Sequence, residues 1–391
     1  MLESSDHSLS QLLISRPDRV LKLVFSFGLL MVLGCQQKET PQPEPPDSNA
    51  SQEKRSQVQA QRAENSQTPQ KVMVLEHPNF VFDAIFSPDG KRVVSNCFGE
   101  TVYVWDAATG EQTGTPIDVK KMDCLLFGED SDTLIVGNQD GALTTYDLVT
   151  GQKKGELFKD PGPVMSAALS SDGQRIVIGG IGSTQVWDLK TGQPVSQKFS
   201  HLGPGAEVAF SPDGKTIAVG GWLKKAFLWD LSPKHLPEKT CVHKGSVTSV
   251  TFSPDGKLLL TTGDILNVSD SAAKEKDSTV HLWDVETGKS LGDAFQHQDS
   301  ILDLAFSPDG KSVITSSADQ TAMIWDFATR RPVAGPLKHE GFVSAVAFSP
   351  DGKFVLTACS DQTVRIWEVA TLSLSEEAAK YDLEKLKQDL K

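Results

Sequence analysis

The chain has 391 residues, 38% of them hydrophobic, and a formal net charge of -13. That length is enough to bury one large core with appendages. The acidic balance disfavours nucleic acid and direct binding to anionic lipid, both of which select a basic face, and pairs such as Lys120-Lys121 and Lys224-Lys225 are too short to reverse it.

Residues 1–35 read as an export signal. Arg16, Arg19 and Lys22 precede the apolar run Leu23 to Leu33, which ends in Val32-Leu33-Gly34-Cys35 and is too short to span a bilayer comfortably. The pattern resembles a bacterial lipoprotein signal, which implies that Cys35 becomes the lipidated N-terminus. Leu33 and the long leader depart from the usual form, and a short uncleaved anchor is the alternative. Residues 36–70, rich in Gln, Ser, Pro and charge, bury too little apolar surface to order and are expected to be a disordered tether. Its reach would be on the order of 30 Å. The expected location is the cell envelope, anchored to the membrane on the periplasmic side, with a cytoplasmic protein as the alternative.

From residue 71 the sequence repeats. In the last copy, His339 to Glu368, the runs Val343 to Phe348, Phe354 to Ala358 and Thr363 to Trp367 alternate apolar and polar residues as strands do. Ser349-Pro350-Asp351-Gly352 between the first two suits a type I turn, with Pro at the second position and Gly at the fourth. Four further SPDG turns begin at Ser87, Ser211, Ser253 and Ser307. The third-strand aromatic recurs as Trp105, Tyr146, Trp187, Trp229, Trp283, Trp325 and Trp367, spaced 41, 41, 42, 54, 42 and 42. A repeat of this size is the mark of sheets stacked around an axis.

These residues resemble the WD-repeat family of β-propellers over 71–372. The resemblance implies an all-β fold, a seven-bladed β-propeller of four-stranded antiparallel blades. Lys71 to Leu75 is expected to close blade seven from the N-terminal side, removing open sheet edges. The resemblance also implies a hydrogen-bonded His, Ser/Thr, Asp and Trp set that stiffens each blade. Blade five matches with His243, Thr261, Asp277 and Trp283, blade six with His297, Thr315, Asp319 and Trp325, and blade seven with His339, Thr357, Asp361 and Trp367. Blade one has Gly99 in place of the Asp. Asp118 and Asp160 stand where His belongs in blades two and three, and Ile181 and Leu223 take the Asp positions of blades three and four. Blades two to four are therefore expected to be the softer side of the ring.

Such a set could mimic a nucleophilic triad, but its recurrence in register reads as structural, because a catalytic site is needed once. Gly179-Gly180-Ile181-Gly182 reads as a turn, since no helix follows to make a phosphate loop. Cys97, Cys124, Cys241 and Cys359 show no metal-site spacing; Cys97 and Cys359 occupy equivalent places in adjacent blades, too far apart for a disulfide by default. Residues 264–276 form one large insertion in blade five, a polar excursion or a partner-contacting rim. The last segment, 373–391, has Ser373 and Glu376 as a capping box and Ala379, Leu383, Leu386 and Leu390 at helical spacing, so a short amphipathic C-terminal helix is expected.

By the resemblance, the channel-mouth face carries Phe82, Asp123, Met165, Ala206, Thr248, Leu302 and Ser344, with Phe98 and Trp222 in turns and Phe80 and Phe342 before first strands. Large apolar groups gathered on one face are what a protein-binding surface requires. The expected function is a non-catalytic scaffold for a protein or peptide partner, with no cofactor, no metal and no nucleic acid. The alternative is a small-ligand binder or enzyme using the central channel, with Asp83, Glu207 and Asp303 as its acids.

Overall fold

The computed structural model describes residues 71–98, 100–128, 130–221, 224–232, 239–264 and 277–375, with the backbone alone at 202–206 and 264. Alternation of apolar and polar residues makes strands, and the turns between them are built to a common plan. In the five SPDG turns the Ser hydroxyl donates to the Asp carboxylate at 2.6–2.7 Å. The Gly adopts φ between 65° and 72°, a conformation cheap only for glycine. Ser170 to Gly173 folds the same way with Ser171 in place of Pro.

Blade one consists of Val81–Phe86, Arg92–Cys97, Thr101–Asp106 and Ile117–Asp118; blade two of Met122–Phe127, Thr133–Asn138, Ala142–Asp147 and Lys153–Lys159. Blades three and four share one sheet, because the twelve-residue strand Phe199–Phe210 leaves the outer edge of blade three beside Ile181–Asp188 and becomes the inner strand of blade four beside Thr216–Gly221. Blades five and six are four-stranded sheets running from Ser246–Phe252 to Ser290–Gln296 and from Ile301–Phe306 to Pro332–Lys338. Blade seven has three strands of its own, Val343–Phe348, Phe354–Cys359 and Thr363–Glu368, and takes its fourth from Val72–Glu76, paired antiparallel with Val72 opposite Trp367 and Glu76 opposite Thr363.

Between neighbouring blades the inward and sideways apolar residues gather into seven clusters. The one joining blades seven and one includes Leu75, Val81, Val93, Trp105, Leu356, Val364 and Ile366. The other six join the remaining pairs in order around the ring. No single blade could bury both faces of its sheet, so ring closure and core formation are one event.

The expected C-terminal helix requires correction. Among the described residues there is no helix of seven residues or more, only the 3-10 turn Val369–Thr371. Ser373 does not begin a helix: Leu374 bridges Gly335 in parallel, and the Ser375 N–H donates to the Gly335 carbonyl at 3.0 Å. Leu374 also packs against the apolar cluster between blades five and six, so the chain after the propeller runs extended along blade six. Residues 376–391 lie outside the described residues, as do the N-terminal segment with Cys35 and the insertion from 265 to 276. Among the described residues no helix is long and apolar enough to cross a membrane.

Candidate functional site

The residues that bear chemistry sit in two places, within the blades between second and third strands and on the face where first strands begin. In blade six, Trp325 Nε1–H donates to Thr315 Oγ1 at 2.8 Å, His297 Nδ1–H donates to Asp319 Oδ2 at 2.9 Å, and His297 Nε2 accepts from the Thr315 hydroxyl at 2.7 Å. Blade seven repeats this with Trp367, Thr357, His339 and Asp361 at 3.0, 2.8 and 3.1 Å. Every donor has an acceptor, as buried polar groups require. Blade one lacks the acid: Gly99 lies outside the described residues, and His77 Nδ1–H donates instead to the Leu75 carbonyl at 3.0 Å while Nε2 meets Ser95 at 2.7 Å. Burial pulls the His77 pKa down to about 4, against that carbonyl.

Blades three and four lose more. Ile178 and Val219 occupy the hydroxyl positions, so among the described residues the buried Trp187 Nε1 has no acceptor, and His201 turns to Thr184 of the neighbouring blade at 3.1 Å. Asp160, at a His position, is buried and accepts the Gly162 N–H at 2.8 Å.

Blade five is arranged differently from its neighbours. Trp283 Nε1 and His243 Nε2 meet Thr261 Oγ1 at 2.7 and 2.9 Å, but Asp277 is not hydrogen-bonded to His243. It accepts instead from His281 Nε2, at 3.0 Å to Oδ2 and 3.2 Å to Oδ1, and the other ring nitrogen of His281 lies 2.9 Å from Asp293 Oδ1. His243, 6% exposed, is left with Nδ1 unpartnered among the described residues. Burial, then the neighbouring His281, pushes the His243 pKa down to about 3. Burial also opposes charge on His281, but the Asp277 hydrogen bond and the Asp277 and Asp293 carboxylates outweigh it, so that pKa is raised.

Among the described residues two sets of metal-ligand types therefore converge, each with its ligand atoms within 4.8 Å of one another: His243, Asp277 and His281 in blade five, and His339, Cys359 and Asp361 in blade seven. The expectation of a non-enzyme is corrected by these two clusters, which are arranged like metal-binding sites and leave room for binding or catalysis of a kind that linear spacing did not show. The missed signal was His281, opposite Thr261 across the strand pair, legible only once the register is known. Among the described residues, Cys97, Cys124, Cys241 and Cys359 form no disulfide, and burial pushes Cys241 and Cys359 up to about 12.

On the channel-mouth face, Phe82 and Phe98 pack with ring centroids 6.2 Å apart, Phe98 being 37% exposed. Phe80 is half-buried beside them, its carbonyl accepting the Phe98 N–H, and Phe342 is half-buried on blade seven. Asp123 is half-buried and within 3.5 Å of Gln139 Nε2. Met165 and Leu302 are buried and present no side chain to a partner. Trp222 and Leu223 lie outside the described residues, as does the side chain of Ala206. Ser344 and Thr248 donate to carbonyls of the next blade, Val81 at 2.8 Å and Ile301 at 3.3 Å, so these positions stitch the ring. Asp303 is a clasp as well: it accepts from the N–H of Val346 in blade seven at 3.0 Å and from the Ser249 hydroxyl of blade five at 3.2 Å. Burial, reinforced by the charge of Asp83, raises its pKa to about 6.

The family model described as WD domain, G-beta repeat matches residues 69–106, 203–230, 237–284, 288–326 and 333–368. These segments fall on blades one and four to seven. Among curated proteins, Telomerase protein component 1 of Rattus norvegicus is 27% identical over 109 residues, 28% of this chain and 4% of that protein. An uncharacterized WD repeat-containing protein of Schizosaccharomyces pombe is 46% identical over 41 residues, a tenth of each chain. The chain thus spans no more than a tenth of the length of either relative. Repeat spacing, blade topology and the matched segments converge on one architecture: this chain is a seven-bladed WD40 β-propeller.

Proposed function

We propose that the propeller is an interaction platform whose channel-mouth face takes a protein or peptide partner. The observation that carries this is the aromatic set of blade one, Phe80, Phe82 and Phe98, in which Phe98 is exposed and in contact with Phe82. Exposed aromatics on a rigid rim bind with little loss of conformational entropy. A photocrosslinking residue placed at Phe98 should trap a discrete partner that the same residue at Val242, 65% exposed on an outer strand, does not. Equal labelling from both positions would remove the reading.

The composition of residues 1–70 supports placement of this platform at the cell envelope through lipid on Cys35. Cys35→Ala should then abolish acylation and membrane association in fractionation with mass analysis; an unprocessed wild-type chain in the soluble fraction would contradict it.

A second reading, binding of a small ligand or metal ion, is favoured by the two buried His/Asp clusters rather than by the channel acids, since Asp303 is engaged by three blades. A melting temperature unmoved by metal ions and by a panel of metabolites alike would exclude it.

A further inference from the structure

We infer that blade five holds a divalent transition-metal ion of the zinc class, bound by His243 Nδ1, Asp277 Oδ2 and His281 Nε2. This deepens the ligand-binding reading by naming the ligand and its site. The donor set, two imidazoles and a carboxylate, is one that zinc takes with its fourth position left to solvent.

Four features of the molecule point to it. The first is the orphaned nitrogen: His243 Nδ1 is buried, aimed at the cluster and unpartnered among the described residues, where blades six and seven give the same atom a carboxylate. A buried nitrogen without a hydrogen bond is destabilising, and a metal bond would offset that cost. The second is the outer shell. His281 presents Nε2 to the cluster and holds Asp293 through Nδ1 at 2.9 Å, while His243 holds Thr261 through Nε2 at 2.9 Å, and Thr261 is fixed by Trp283 at 2.7 Å. Partners of this kind on the far ring nitrogen orient metal-binding histidines.

The third is space. A Cβ at Gly263 would lie 3.0 Å from Asp277 Oδ2 and 3.5 Å from His243 Nδ1, and glycine leaves that gap open. Ligand atoms of a tetrahedral zinc site stand about 3.3 Å apart; here all three lie within 4.8 Å and one pair is already at 3.0 Å. The fourth is singularity. The strand position of His281 carries Tyr103 in blade one, Phe227 in blade four, Met323 in blade six and Arg365 in blade seven. The fold therefore does not need a histidine there.

The blade-seven cluster lacks these features. His339 Nδ1 is bonded to Asp361, and the Arg365 guanidinium occupies Asp361 Oδ2 at 3.0 Å, so the place of a cation is filled by a side chain. In blade five, metal binding releases the proton of His281 Nε2 to solvent. The His243 proton moves from Nδ1 to Nε2, where Thr261 Oγ1 accepts it, and Asp277 exchanges its hydrogen bond for the metal.

The test uses the full chain, stripped with chelator and titrated with Co²⁺, then with Zn²⁺ in competition. Wild type should take up one equivalent with the strong visible absorption of four-coordinate Co²⁺. His281→Phe, which copies Phe227 of blade four, and Asp277→Asn should abolish that absorption, and the exposed Asp293→Asn should weaken binding about ten- to a hundredfold. Cooperative melting of the stripped variants checks that they fold; if His281→Phe does not, Asp293→Asn alone decides. No uptake by wild type, equal uptake by all variants, or an absorption dominated by thiolate-to-cobalt charge transfer would each overturn the site. Failure here, with a melting shift from a metabolite, would leave the broader ligand reading standing.

Discussion

Replacing Leu75 with Ala tests whether the strand Val72–Glu76 closes the ring and carries stability rather than lying passively on its edge. Leu75 is 1% exposed and packs in the cluster that joins blades seven and one, opposite Val364 across the strand pair. The substitution removes three carbons, about 2.4 kcal/mol at 0.8 kcal/mol per buried CH₂. The surrounding Val81, Trp105 and Ile366 belong to two different blades and cannot collapse together, so a cavity contribution adds, for a total of about 3–5 kcal/mol. The adjacent Val74, opposite Arg365, is 46% exposed, and Val74→Ala should cost less than about 1 kcal/mol. Urea unfolding followed by tryptophan fluorescence measures both. If the two variants lose similar amounts, within about 0.5 kcal/mol, the strand does not hold the ring closed.

Three other outcomes follow from the same geometry. Thr315→Val should cost about 2–4 kcal/mol in denaturant unfolding, because it leaves His297 Nε2 and Trp325 Nε1 buried without partners, while Thr315→Ser should be close to wild type; a loss under about 1 kcal/mol for Val would show the blade hydrogen bonds to be ornamental. Asp303, with its pKa raised from 3.8 to about 6, favours the folded state in its protonated form. Its contribution is fully present below about pH 4 and is lost as pH rises through 6, about 3 kcal/mol in all. The stability of wild type minus that of Asp303→Asn should fall over that window; the difference is needed because buried His77 titrates in the opposite sense in both proteins. Finally, amide exchange should be faster in blade three, where Trp187 lacks an acceptor, than in blades six and seven. Uniform protection would contradict that gradient.

Much of the ring was legible because its determinants are local. Turn chemistry at Ser87 to Gly90 and its four copies, period-2 alternation and the third-strand aromatic each act within a few residues, and their repetition made seven blades countable. The C-terminal segment was misjudged from 373 because its helical spacing and capping box are also local, whereas what decides Leu374 is distant in the chain, the Gly335 backbone and the apolar cluster between blades five and six. Met165 was placed on the channel-mouth face by its position in the repeat, which is local; its burial is not. The hydrogen-bonded sets of blades six and seven were implied by the family resemblance, but the re-pairing of Asp277 was not, since it depends on which residue faces Thr261 across the sheet.

That re-pairing has a cause in the chain. In blades six and seven the Asp follows the Thr by four residues, and its N–H is held by the intervening side chain, Ser317 Oγ at 3.1 Å or Cys359 Sγ at 3.3 Å, which points the carboxylate at the His. In blade five, Asp277 follows Thr261 by sixteen residues, and the holding position is Gly263, which has no side chain to offer. Freed from the tight turn, Asp277 pairs with His281 four residues on, and His243 loses its acceptor. Removing residues 265–276 restores the blade-six spacing, with Gly263, Asp264, Asp277, Ser278 and Thr279 in the places of Ser317, Ala318, Asp319, Gln320 and Thr321. Combined with Gly263→Ser, the deletion should return Asp277 to His243, give that histidine the low-field Nδ1 proton of its counterparts in an NMR spectrum, and abolish Co²⁺ uptake. Should the shortened chain fold, lack that proton and still bind the metal, the insertion and the glycine would not be what frees the acid.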